Sequence, residues 1–201
     1  MATPIIEATM DGGVAFYKRQ GDPGMAPCTD AQLQDRDFVL GLVAHCGLAL
    51  SLAAPHLKED ADVVLAAVRQ SGWALEFASA ALRGDRELVL LAVRDAGWAL
   101  QYACGEAVKG DREIVLLAVR LNGALLQHAS DALRADPEVV AEAARQKGPA
   151  ALQYAIGEEV KADPGVVAAV ASFGGGGGGG GQGGLLAGLP PAGALVMDED
   201  W

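Results

Sequence analysis

The sequence predicts an all-α protein. It reads as an α-solenoid of about five to six two-helix repeats, each about 25 residues long, with a disordered N-terminal leader and a glycine-rich C-terminal tail. Three observations predict it. Asp60-Ala-Asp-Val-Val-Leu-Ala-Ala-Val-Arg69 recurs as Asp85-Arg-Glu-Leu-Val-Leu-Leu-Ala-Val-Arg94 and as Asp111-Arg-Glu-Ile-Val-Leu-Leu-Ala-Val-Arg120. Each copy opens on an aspartate, a residue whose carboxylate accepts from the free amides of a first helical turn. Within each copy the apolar residues fall at i, i+1, i+4 and i+5, the spacing of one buried helix face.

Taken in chain order, residues 1–30 match no repeat and carry Gly12-Gly13, Gly21-Asp-Pro-Gly24 and Pro27, which are turn and breaker signals. They are expected to form a loosely ordered leader, with Val14, Phe16 and Tyr17 available to pack on the first repeat. Residues 31–173 form the helical array. Its units open at Asp35, Asp60, Asp85, Asp111 and Asp136, and Asp163 starts a partial sixth. Pro137 and Pro164 stand one place after their caps, where a helix tolerates proline best. Glu87 puts negative charge at the positive end of its helix and Arg94 positive charge at the other. Gly97 is expected to supply a left-handed turn that stops that helix. A second, shorter helix then starts near Trp98, with Ala99, Leu100, Tyr102 and Ala103 as its apolar stripe. The third unit carries an extra residue in Cys104–Asp111, and the fifth carries the same one in Ile156–Asp163 plus one more near Ala150-Ala151, at helix ends. Residues 174–184 begin with eight consecutive glycines and read as a flexible linker. Residues 185–201 read as a flexible tail, apolar at first and ending in Asp198-Glu-Asp-Trp201.

The consensus Asp-Arg-Glu-x-Val-Leu-x-Ala-Val-Arg-x-x-Gly-x-Ala-Leu-x-Tyr-Ala-Ser resembles the repeats known as domain of unknown function 4116. Residues 85–103 match it best, and 60–79 and 111–130 closely. The resemblance covers about residues 35–165. It implies helical repeats and supplies no activity or catalytic residues to carry over.

Composition narrows the function. The 201 residues carry a formal net charge of −11, which disfavours phosphate backbones and anionic lipid surfaces as partners. No stretch has the length and apolarity of a membrane-spanning helix, and the start of the chain lacks the pattern of a secretory signal. Three cysteines, Cys28, Cys46 and Cys104, are widely spaced and fit reduced thiols in a cytoplasmic protein.

No catalytic constellation is evident, so no catalytic, cofactor-binding or metal-binding residue is assigned and no enzyme activity is expected. His45, His56 and His128 occupy three different repeat positions. His128 replaces Phe77, Tyr102 and Tyr154 and is expected to pack as a ring. His45-Cys46 is too small a ligand set for structural zinc. The glycine run lacks the lysine and hydroxyl residue of a phosphate loop. Two basic columns (Arg69, Arg94, Arg120, Arg145; Lys58, Arg83, Lys109, Arg134, Lys161) lie at helix C-termini and are expected to pair with acidic columns at the next helix starts.

The expected function is therefore non-enzymatic, a helical-repeat module that binds a protein or peptide. Its weak candidate contact residues are Trp73, Glu76, Trp98, Gln101, Gln127 and Gln153. The polar members form one column that points away from the core, and large aromatics on repeat surfaces carry binding energy. A second reading is a structural spacer presenting the C-terminal segment as a short linear motif. A third, disfavoured one is an enzyme with an unrecognised site. Apolar array ends would allow weak self-association.

Overall fold

A computed structural model describes residues 5–19 and 22–175. The N-terminal segment corrects the expectation of a disordered leader, because it forms a sheet. Strands β1 (Ile5–Asp11), β2 (Val14–Arg19) and β3 (Ala26–Pro27) pair antiparallel in that order. Asp11 pairs with Val14 across Gly12 and Gly13, whose φ angles are +53° and +78°. Two positive-φ residues make the tight hairpin turn whose twist suits flanking strands, so the glycines join structure here. Tyr17 meets Phe38 edge-on at 4.9 Å between ring centroids, with the Arg19 guanidinium over both rings. Ile5 and Ala15 are buried, and β1 packs against the first long helix. The sheet thus covers the first unit; of the three side chains expected to pack there, Tyr17 does so and Val14 is exposed.

The rest of the described chain is mostly helical, with repeated units. In chain order the α-helices are α1 (Arg36–Val43), α2 (Ala61–Gln70), α3 (Arg86–Asp95), α4 (Glu106–Lys109), α5 (Arg112–Leu121), α6 (Asp131–Arg134), α7 (Pro137–Lys147), α8 (Glu158–Lys161) and α9 (Pro164–Gly175). All five expected caps from Asp35 to Asp136 accept from amides in the first turn of their helices, and Asp163 accepts from Gly165 and Val166. The expected face is buried in each: Val63, Val64, Ala67 and Val68 in α2, and Ile114, Val115, Ala118 and Val119 in α5.

The expected second α-helix is corrected. Each unit continues as a 3-10 helix, at Gly47–Leu52, Gly72–Phe77, Gly97–Tyr102, Gly123–His128 and Gly148–Tyr154. A third one-turn helix follows before the next cap: Pro55–Lys58, Leu82–Gly84, α4, α6 and α8. The reason the second helix stops so soon lies between units. Where the second helix would continue, the chain turns extended and the next amide bonds to the preceding unit or, in the first unit, to the turn just before Asp35. Ala54 N–H donates to Leu33 O, Ser79 to Lys58, Cys104 to Arg83, Ser130 to Lys109 and Ile156 to Arg134, at 2.9–3.0 Å. A helical ladder cannot continue through an amide committed elsewhere.

Gly97 is not left-handed; among the described residues the positive-φ glycines are Gly12, Gly13, Gly105, Gly148 and Gly157. The glycines opening the 3-10 helices serve close approach. A Cβ on Gly47, Gly72 or Gly123 would lie 2.4 Å from the carbonyl oxygen of Ala67, Ala92 or Ala143 in the next unit's long helix. The extra residue shared by the third and fifth units is explained by Gly105 and Gly157, positive-φ residues that precede α4 and α8, and the second extra residue of the fifth unit lengthens its 3-10 helix, Gly148–Tyr154, to seven residues. Successive long helices touch one another in turn: α1 on α2, α2 on α3, α3 on α5, α5 on α7, α7 on α9. No helix among the described residues is long and apolar enough to cross a membrane. Helix α9 runs two residues into the expected linker; the remainder of 174–184 and the tail 185–201 lie outside the described residues.

Candidate protein-binding surface

A 3-10 helix has three residues per turn, so side chains at i and i+3 lie on one face. That period places Trp73 with Glu76, Trp98 with Gln101, Ala124 with Gln127, and Leu48 with Ser51. In the Gly72–Phe77 helix, Ala74 and Leu75 are fully buried while Glu76 is exposed. Gln127 and Gln153 are exposed and Gln101 is half-buried. The polar column is therefore at the surface, and the aromatics share its face.

The two tryptophans bridge units. Trp73 meets Tyr102 of the next unit edge-on, with centroids 6.4 Å apart and planes at 70°. Trp98 meets His128 with the same separation and angle. Edge-to-face rings at this distance attract through their quadrupoles. Trp73 is half-buried, whereas Trp98 is 37 % exposed and Leu48, at the equivalent place in the first unit, is 41 % exposed. The face therefore holds both packed and accessible apolar surface.

Electrostatics on this face follow from partial burial. Burial pushes the Tyr102 hydroxyl up to about 12, and the Glu76 carboxylate beside it adds to the shift. Burial holds His128 below the ordinary histidine value, with Lys109 contributing. Its Nε2 is buried without a partner. His128 is thus a neutral ring in the place of tyrosine or phenylalanine.

Apart from Arg120, the charge pairing between units uses a different column from the two basic ones read in the sequence. Arg36, one place after its cap, reaches Asp60 and Asp62 of the next unit, each at 2.6 Å. Arg86 reaches Asp111 at 2.7 Å and Glu113 at 2.5 Å. Arg112 reaches Asp136 at 2.7 Å and pairs with Glu138. Hydrogen bonds to these carboxylates hold the Arg36 and Arg86 guanidinium groups firmly charged, and Arg36 holds Asp60 below the usual carboxylate range. Of the columns read earlier, Arg120 and Arg145 both pair with Glu142. Lys58 donates to the carbonyl of Ser51, Arg134 donates to that of Tyr154 and also pairs with Asp131 three residues back, and Lys161 pairs with Glu158 in the same way. The sequence signal for the arginine fork was present: a basic residue after the cap, facing two acids one repeat later.

No group of three or more potential metal ligands occurs among the described residues, and Cys28, Cys46 and Cys104 are all free thiols. Burial raises Cys28 to about 11, helped by the nearby Cys46, so that thiol is a poor nucleophile at neutral pH.

The repeat geometry agrees with comparison to known proteins. A family model described as Domain of unknown function (DUF4116) matches residues 35–83, 72–106 and 111–161, more than half of the chain. The chain belongs to the DUF4116 family. No curated protein and no solved structure matches it. The DUF4116 matches start at a capping aspartate, Asp35, and end at Lys161, the last residue of α8. They span the capped units and the Trp73, Trp98 face, and they leave out the N-terminal sheet.

Proposed function

We propose that the DUF4116 units stack as an α-solenoid, and that this array is a non-enzymatic module binding a protein or peptide across the face carrying Trp73, Glu76, Trp98, Gln101, Gln127 and Gln153. The observation that carries the reading is the regular placement of that face. Trp98 bridges two units yet remains 37 % exposed, in a row with Leu48 and beside the polar column. Tryptophan half-held by its own scaffold presents a rigid apolar surface, and such residues dominate interface energies. Unit-to-unit packing supports the solenoid: one inter-unit backbone bond at each junction and a glycine contact at most of them repeat the same relation. The net charge of −11 favours a basic partner over nucleic acid or an anionic membrane surface. The free thiols suit a cytoplasmic setting.

The test is cross-linking of the full chain in its native cell, followed by the paired substitution Trp73→Ala, Trp98→Ala. A reproducible protein partner whose cross-links map to this face and vanish in the double variant supports the reading. A partner that is retained at full strength by the folded double variant overturns it.

A further inference from the structure

Among the junctions that present an acid pair, the arginine fork is missing at one. Four junctions present the acid pair that receives it: Asp60 with Asp62, Asp85 with Glu87, Asp111 with Glu113, and Asp136 with Glu138. Arg36, Arg86 and Arg112 fill three of them. At the fourth, the residue one place after the cap of the preceding unit is Ala61. A hollow of about 370 Å³ lies there, lined by Ala61, Leu65, Leu82, Asp85, Glu87 and Arg94 among others. Asp85 Oδ1 accepts from the Leu88 amide, and Glu87 is met only by Arg86 of its own unit at 3.2 Å. Neither carboxylate forms an ion pair with the preceding unit among the described residues, although both are exposed.

We propose that this hollow is an arginine-receiving site for a polypeptide partner: a guanidinium carried by the partner takes the place left open by Ala61, forked across Asp85 and Glu87. The equivalent carboxylates supply the template. Arg86 spans Asp111 and Glu113 with separate nitrogens, the fork geometry a guanidinium offers and an ammonium does not. The half-buried Leu65, Leu82 and Leu91 give the arginine methylenes an apolar wall. The chain's charge of −11 complements a basic segment. Arg94 stands seven residues beyond Glu87, about 10 Å along α3, so the cationic end of the hollow lies away from the acid pair. This inference rests on the reading of the array as a protein-binding module and names the chemistry of one partner residue.

The experiment is a titration of the isotope-labelled full chain with the capped peptide Gly-Arg-Gly, and with the same peptide carrying citrulline, followed by amide chemical shifts. The expected result is a set of shifts confined to residues 61–65 and 82–91 with the arginine peptide, absent with citrulline. Ala61→Arg should supply the guanidinium from within and weaken binding about tenfold, as should Glu87→Gln, which leaves the cap intact. Shifts spread evenly over all acidic residues, equal binding of citrulline, or undiminished binding by the folded Ala61→Arg and Glu87→Gln chains would each overturn the site. Trp73→Ala, Trp98→Ala should leave the peptide response unchanged. Failure of the peptide with continued loss of the cross-linked partner in that double variant therefore removes this site and leaves the array reading standing.

Discussion

The seam between long helices and the charged rim at their N-termini are built from the same repeat, yet they tolerate variation differently. Along the seam, three of the five units from Asp35 to Asp136, the second, fourth and fifth, bury all four equivalent places to zero exposure with alanine, valine or isoleucine there, and the first and third depart from zero exposure only at Phe38 and Leu88. Along the rim, arginine gives way to alanine at 61 and proline at 137. The difference follows from packing. A seam residue touches the next helix at van der Waals distance, so added or missing volume is felt at once. A rim pair stands in water, where loss of one partner costs little. The rim is therefore where a unit can be altered without unfolding its neighbours.

The comparison breaks most visibly by placing charge in the seam. Val89→Asp puts an unpaired carboxylate at a fully buried position of α3. It should destabilise by about 3–5 kcal/mol, with loss of helical signal from at least the third unit. Chemical denaturation followed by circular dichroism measures this. Retained stability would mean that α3 is not held by its neighbours.

Volume at the glycine contact comes next. Gly72→Ala sets a Cβ 2.4 Å from Ala92 O, and the strain should cost about 1–3 kcal/mol. Thermal melting reads it, and an unchanged Tm would remove close approach as the reason for glycine there.

Acid acts through His128. Its folded pKa lies below the 6.5 of the free side chain, so the folded state favours the neutral ring. Stability from that preference is complete above pH 6.5, and declines as pH falls through 6.5 toward the lowered folded value. His128→Tyr should flatten the fall of Tm just below pH 6.5, whereas Asp60 and Asp111 are held below the ordinary carboxylate value and take up protons only in stronger acid. The smallest effect belongs to the rim. Arg112→Ala should leave the fold intact and shift Tm less than Gly72→Ala does, with the shift shrinking further in high salt.

What was legible in the sequence was what repeats and is local. Asp85, Leu88, Val89, Ala92 and Val93 specify a capped helix within ten residues, and the structure has it. The early end of the Gly97–Tyr102 helix was hidden because an amide beyond it bonds to a carbonyl in the preceding unit, a partner no local pattern shows. The sheet was missed because Gly12-Gly13 was read as a break, when two positive-φ residues between Asp11 and Val14 close a hairpin. The fork was missed because Arg86 and Glu113 lie 27 positions apart. On the candidate face, Trp73 and Trp98 were identified, but their alignment with Glu76 and Gln101 depends on the three-residue period. Gly97 was identified with the wrong role, because sequence shows a glycine and not the helix that approaches it.

The most direct test is serial removal of whole units from the C-terminal end, with chains ending at residues 162, 135 and 110, each denatured and followed by circular dichroism. Nearest-neighbour stacking predicts that every shortened chain keeps helical signal in proportion to its remaining units while the denaturation midpoint falls step by step. Complete loss of helix on removing a single unit would contradict it.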